Sequence, residues 1–384
     1  MRILVLNYEY PPLGGGAGVI TQNISERLAG LGHSVTLVTT WFNTEKEIEE
    51  KGNLKIIRLK SKRKHTHKSS VFEKLSWIRQ SKKYLSDYCS KTKFDICFAN
   101  FSIPGGEVAL YLKRKYGLKY VIISHGHDIP WQFPKQMRWF HIATYRRIKR
   151  ICKQSEANFV QTVPMKNNID KFLGTEHTSR NVLIPNGIDG NMFTPDYYKR
   201  GNTFKIVYTG RLVEQKDPFT FLKAIKLYAE KNNDFVAHVI GDGVLRKSME
   251  EYVTANDLKD LIKFRGWIPT TETVKEYQSA HVAVVSSVFE GMSIAILESL
   301  ACGCFAITTP LDGIEGIITR DQNGTIVSFR SPEEIVVQLE HYYNEKFLNR
   351  FKVNAEVMNK LLERYNWDAI VKEYEKNLNQ MVNS

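Results

Sequence analysis

Two carboxylates eight residues apart, Glu290 and Glu298, bracket a Gly291-Met292-Ser293-Ile294 turn that opens onto an apolar stretch. Carboxylates are strong acceptors suited to gripping sugar hydroxyls. The N–H groups that begin a helix lack partners within it and favour an anion, so Met292, Ser293 and Ile294 could face phosphate. Far upstream, Gly210-Arg211 ends an apolar run and Lys216 follows five residues after Arg211. An arginine fork beside a lysine point charge could neutralise a diphosphate, although surface charge at a helix start has the same look. Gly241-Asp242-Gly243 ends the next apolar run and would let the backbone come close to a nucleoside. His125, in Ser124-His125-Gly126-His127-Asp128, closes another run. Open parallel sheets bind ligands at the carboxyl ends of their strands. That favours His125 over His127, which reads as a loop residue.

A glycine loop, Gly14-Gly15-Gly16-Ala17-Gly18, sits between the first strand and the first helix. A dinucleotide fingerprint would need glycine at position 19, where Val19 stands, and an acid closing the second strand, where Thr39, Thr40 and Trp41 stand. A nicotinamide site is therefore rejected. The glycines either form a tight turn only or bring backbone N–H groups against an anion or sugar hydroxyl.

The elements that must position these residues follow a β-α-β rhythm. Apolar runs at 2–7, 34–39, 54–59, 94–99 and 119–124 alternate with helix-like stretches such as 18–30, 71–88 and 105–116. The rhythm restarts with strands at 204–209, 235–240, 261–265, 281–286 and 304–308 and helices between them. Buried strands in this order predict two doubly wound parallel sheets. The polar, Gly- and Pro-bearing stretch 190–203 reads as the joint. The domains are expected at 1–195 and 196–364, with a last helical segment at 365–384.

With 384 residues, 42% hydrophobic and 25% charged, the composition is that of a soluble globular chain. No apolar run approaches the ~18 residues of a membrane span, and the first run is too short for a secretory signal. The cysteines Cys89, Cys97, Cys152, Cys302 and Cys304 are odd in number and lack zinc spacing, so they read as free thiols. The net charge of +13 is lopsided: residues 1–195 hold 31 Lys and Arg against 15 Asp and Glu, the remainder 23 against 26. The densest basic stretch, 55–83, carries Arg63, His67, Lys68, Lys74 and Arg79 among Phe72, Leu75 and Trp77. It reads as a solvated face or as a contact with an anionic membrane surface. Nucleic acid is not expected, because no helix-turn-helix, RNP or zinc pattern accompanies the charge.

The motifs in their order resemble the retaining GT-B glycosyltransferases of family GT4 over essentially the whole chain. Five places carry the likeness: Pro11-Pro12-Leu13-Gly14-Gly15-Gly16; His125-Gly126-His127-Asp128; Pro185-Asn186-Gly187-Ile188-Asp189 with Phe193 and Pro195; Gly210-Arg211-Leu212 with Lys216-Asp217; and Glu290 to Glu298 with Ala301-Cys302-Gly303. Ser293 departs from the second turn glycine of many relatives. The resemblance implies an α/β fold of two Rossmann-like domains facing a central cleft, with the last helix crossing back to the first domain. It implies transfer of a sugar from a nucleoside diphosphate, of UDP or GDP type, to an acceptor hydroxyl with retained configuration. Catalytic roles would fall to His125, Glu290, Arg211 and Lys216. Donor contacts would fall to Gly15, Gly16, Gly210, Gly241, Asp242, Gly291, Met292, Ser293, Ile294 and Glu298.

The chain contains no Asp-x-Asp, so neither metal nor other cofactor is expected. A glycan or lipid-linked acceptor is expected, in assembly of a lipid-linked glycan, lipopolysaccharide or other surface polysaccharide. The basic half, with Phe72, Trp77, Trp131, Phe133, Trp139 and Phe140, would then meet the cytoplasmic face of the membrane, unless those rings are core. The competing readings are a phosphorylase or sugar-nucleotide epimerase on the same fold, and a non-catalytic binding subunit.

Overall fold

The computed structural model describes residues 1–65, 69–126, 128–130, 138–348, 352–353 and 355–383. His67, Lys68, His127, Trp131 and Phe133, named above, lie outside them. The chain divides into two compact units: Met1–Asn186 together with Trp367–Ser384, and Gly187–Asn366. The first division thus falls at 186/187 rather than at 195/196, three residues past the end of the first sheet at Leu183.

The first unit holds eight strands: β1 (Arg2–Leu6), β2 (Ser34–Thr40), β3 (Ile48–Lys51), β4 (Leu54–Leu59), β5 (Ile96–Asn100), β6 (Tyr120–Ile123), β7 (Ala157–Val160) and β8 (Asn181–Leu183). They lie in the order β3-β4-β2-β1-β5-β6-β7-β8. All pairings are parallel except β3 with β4, an antiparallel edge that runs Glu49 and Glu50 beside Lys55 and Arg58. β1 is the switch point, with β2 on one side and β5 on the other, Leu4 facing both Thr36 and Cys97. Ile3, Leu4, Val5 and Leu6 are wholly buried, as a strand covered on both faces requires. Helix Gly16–Gly30 turns Ile20, Ile24 and Leu28 inward at helical spacing.

Helix Trp367–Asn383 belongs to this unit and buries Trp367, Ile370, Val371, Tyr374 and Leu378. The Tyr374 ring stands edge-on to Phe98 at 5.6 Å and Phe159 at 5.0 Å. Arg27 to Asp368 at 2.8 Å and His33 to Glu375 at 2.7 Å pin it against helix Gly16–Gly30 and the turn that follows.

The second unit carries β9 (Phe204–Thr209), β10 (Phe235–Ile240), β11 (Ile262–Gly266), β12 (Val282–Val285), β13 (Phe305–Thr308) and β14 (Gly324–Ile326). Their order is β11-β10-β9-β12-β13-β14, parallel throughout. The switch point is β9. Its outer side is fastened by Glu276 of helix Thr270–Ser279, which meets Lys205 and His238 at 2.7 Å and Arg265 at 3.0 Å. Burial opposes ionisation of Glu276, yet these partners hold its carboxyl down at about 2.

Candidate active site

Both sheets present loops at the carboxyl edge beside their switch strand, where open sheets place their ligands. In the second unit, Gly210 and Arg211 follow β9 and Gly241 and Asp242 follow β10. The two loops interlock, with Gly210 N–H donating to Ile240 O at 3.0 Å and Leu212 N–H to Asp242 O at 3.0 Å. Gly241 has φ +123°, and a Cβ there would fall 2.0 Å from Gly210 O, so only glycine fits.

Lys216 sits in a short turn that ends at Asp217, whose backbone is left-handed at φ +44°. The turn is sewn to the loop after β12: Val288 N–H donates to Gln215 O at 2.9 Å, and Gln215 Nε2 to Phe289 O at 3.0 Å. Ser286 Oγ donates to Asp217 O at 2.8 Å, and the buried Tyr208 hydroxyl to Lys216 O at 3.0 Å.

These restraints deliver the Lys216 ammonium to the Glu290 carboxylate at 2.6 Å. Ser287 Oγ donates to the other Glu290 oxygen at 2.7 Å. The buried Ser293 hydroxyl faces the same carboxylate without a hydrogen bond of ordinary geometry. Burial disfavours a charged Glu290, but the Lys216 charge and these hydrogen bonds outweigh it and hold its carboxyl below the usual range. Glu298, about one turn into helix Ile294–Ala301, behaves oppositely. Burial pushes it up to about 8, against the pull of Lys216, so it carries a proton at neutral pH. The buried Tyr277 hydroxyl and Thr209 Oγ1 face each other, and neither makes a hydrogen bond of ordinary geometry among the described residues. Arg211 is partly exposed and has no ion pair among the described residues. Met292 is a core residue by its side chain, leaving only its backbone for a ligand.

The first unit's edge is built from different groups. Gly15 caps helix Gly16–Gly30 and Gly16 begins it, after Gly14 at φ +93°. His125 follows β6. Its Nε2 lies 3.0 Å from Asn100 Oδ1 and its ring 4.7 Å from that of Phe101. Asn100 Nδ2 donates to Leu6 O at 3.3 Å, which orients Oδ1 toward the imidazole and puts the proton on Nε2. Thr21 Oγ1 donates to the same Asn100 oxygen at 2.8 Å and accepts from Asn7 Nδ2 at 2.7 Å. Asp128 orders the loop: one oxygen takes Ser124 Oγ at 2.7 Å and His125 N–H at 3.1 Å, the other Ser102 N–H at 2.7 Å. Asp128 was visible only as a member of the His125 motif, without a role, and Asn7, Thr21 and Asn100 had no signal, because single amides and hydroxyls carry no spacing pattern. Of the rings assigned to an interface, Trp77 is instead buried at 1% exposure, whereas Phe72 and Trp139 are 79% and 81% exposed.

Comparison with known proteins bears directly on these edges. Residues 14–191 match the family described as Glycosyltransferase Family 4, and residues 194–358 match Glycosyl transferases group 1. Alpha-monoglucosyldiacylglycerol synthase of Acholeplasma laidlawii is 24% identical over 391 residues, covering 94% of this chain and 93% of its own. Sucrose-phosphate synthase of Thermosynechococcus elongatus superposes with a TM-score of 0.86 at 16% identity, over 99% of each chain. HepE of Anabaena, solved with UDP and glucose, superposes at 0.79 with 15% identity, also over 99% of each. The two matched families divide the chain as its sheets do, one edge to each, and the chain belongs to the GT4-type glycosyltransferases of GT-B fold.

Proposed function

We propose that the chain moves a sugar from a nucleoside diphosphate sugar, of UDP or GDP type, to an acceptor hydroxyl with retained configuration and no metal ion. The observation that carries this is the Lys216–Glu290 pair at the β9 switch point, beside the unpaired Arg211. An ammonium has three N–H donors. One serves Glu290, leaving two for a phosphate oxygen, so Lys216 can hold the leaving diphosphate without abandoning the carboxylate. Arg211 adds a bidentate fork, and the first N–H groups of helix Ile294–Ala301 add a dipole, which together stabilise the departing charge. Glu290, kept ionised, accepts from sugar hydroxyls and favours the positive charge that develops at the anomeric carbon. Glu298, protonated, offers a donor and an acceptor to the ribose. His125 takes the donor sugar near the reacting centre, with Gly15 and Gly16 beneath it.

The acceptor in this reading is a lipid-linked glycan or a surface-polysaccharide precursor, met at the cytoplasmic face of an anionic membrane. The basic first 195 residues and the exposed Phe72 and Trp139 support it. Among the described residues, no helix is long and apolar enough to cross a membrane.

Thermal unfolding with UDP, GDP, ADP and their sugar conjugates tests the donor site. A ligand at ~100 times its Kd adds about 2.7 kcal/mol. One nucleoside diphosphate is expected to stabilise wild type and not Arg211→Ala; no shift from any would sink the reading. Turnover is expected to survive excess EDTA and to yield product of unchanged anomeric configuration by NMR. Co-sedimentation with vesicles is expected to rise with anionic lipid content.

A further inference from the structure

Lys74, near the start of helix Val71–Lys91, has no direct ion-pair partner among the described residues; the carboxylates that act on it, Glu9 and Asp128, do so only through space. Its ammonium is partly buried over the Tyr8 ring, 5.3 Å from the centroid, and makes no hydrogen bond or ion pair among the described residues. Burial lowers its pKa; Glu9 and Asp128 raise it and Arg63 lowers it further, all through space. Asp128 is already committed to Ser102, Ser124 and His125. A desolvated, unpaired ammonium is costly unless a ligand supplies the anion.

A second cation is held beside it. The Arg63 guanidinium carbon stands 5.9 Å from the same Tyr8 centroid. Its loop is tied to the helix on either side of Arg63, Lys62 N–H donating to Ser76 Oγ at 3.1 Å and Lys64 N–H to Glu73 Oε1 at 2.7 Å. Glu73 also closes a capping box with Ser70, its other oxygen accepting from Ser70 N–H at 2.6 Å. The two cations are therefore fixed before any ligand arrives. Their shared ring leads to the His125 edge: Tyr8 lies 5.6 Å from Phe101, and Phe101 4.7 Å from His125.

We propose that Lys74 and Arg63, set around Tyr8, form an anion subsite that takes a phosphate ester of the acceptor, one aromatic ring removed from His125. The proposal deepens the transferase reading and rests on it. Phe72 and Leu75 in the same turns are exposed, which places an apolar surface beside the phosphate and favours a lipid-borne ester.

The test uses the full chain saturated with whichever of UDP, GDP or ADP stabilises it against thermal unfolding, so that the donor site cannot take the probe. Glycerol 3-phosphate is titrated by calorimetry, and phosphatidylcholine vesicles with and without phosphatidic acid by co-sedimentation. Lys74→Gln and Arg63→Gln are each expected to weaken phosphate binding about tenfold or more, while Lys83→Gln, exposed on the same helix, leaves it unchanged. Unaltered binding in Lys74→Gln and Arg63→Gln, or an equal loss in Lys83→Gln, overturns the subsite. Tighter binding to phosphatidic acid vesicles than to glycerol 3-phosphate assigns a lipid source; the reverse assigns a water-soluble ester, and both uphold the subsite. If no nucleoside diphosphate stabilises wild type while phosphate binding still depends on Lys74, the donor reading falls and the subsite stands. Arg63, on an exposed loop, keeps the test open should Lys74→Gln not fold.

Discussion

The carboxyl edges of the two sheets answer the same architectural situation with opposite chemistry. In the second unit the edge is charged and already paired: Lys216 neutralises Glu290, and the ionised and protonated carboxyls sit eight residues apart. In the first unit the His125 imidazole meets a chain of amide, hydroxyl and amide, with the Asp128 carboxylate on its backbone, and the nearby cation Lys74 has no ion pair among the described residues. In the proposed transfer, the second edge stabilises charge as it moves. The first is built to fix the direction of a hydrogen bond. Two glutamates of one motif diverge because Glu290 meets the Lys216 ammonium at 2.6 Å whereas Glu298 feels it only through space, too weakly to offset burial, which is how environments separate acid from base.

The sharpest way to break this contrast is Lys216→Ala. It leaves Glu290 buried and unpaired, at an expected cost of about 3–5 kcal/mol in stability, and abolishes turnover. Adding Glu290→Gln should restore most of the stability and none of the turnover. A double variant no more stable than the single would show that pairing is not what holds Glu290. Asp128→Asn probes the carboxylate that orders the His125 loop. It weakens the bonds from Ser102, Ser124 and His125 and should cost about 2 kcal/mol in thermal unfolding.

Glu298→Gln separates the two carboxyls by pH. In wild type the folded chain keeps this proton to about 8, whereas the unfolded chain releases it in the ordinary glutamate range. Stability from this group therefore falls as pH rises across that window. The glutamine variant should lose that slope, and a slope that persists would place its origin elsewhere. The smallest effect is expected from Asn100→Leu. It frees the His125 tautomer and should lower kcat by about tenfold, with nitrogen NMR showing the proton no longer confined to Nε2.

Much of this was legible before any coordinates. Strands 204–209 and 235–240 fall where the apolar runs put them, because central parallel strands are buried on both faces. Of the four edge strands, only Ile262–Gly266 announced itself. Ile48–Lys51 reads as charged loop, and Asn181–Leu183 and Gly324–Ile326 are too short to show a period. Glu290 and Glu298 were visible as a spaced pair, but their ionisation was not, since it depends on Lys216 arriving from another strand's loop. Trp77 and Phe72 look alike in a basic helix. Only the helix's rotation against the sheet sends one to the core and the other to solvent.

Helix Trp367–Asn383 carries a consequence for how the molecule is made. Tyr374 completes the aromatic cluster of Phe98 and Phe159, so the first unit's core stays open until residues beyond Asn366 have left the ribosome. The whole second unit must be synthesised in between. The first sheet to emerge is thus the last to close, its Phe98–Phe159 face waiting uncovered through the translation of its neighbour. Chaperone demand and sensitivity to a stalled ribosome should accordingly concentrate on the first unit.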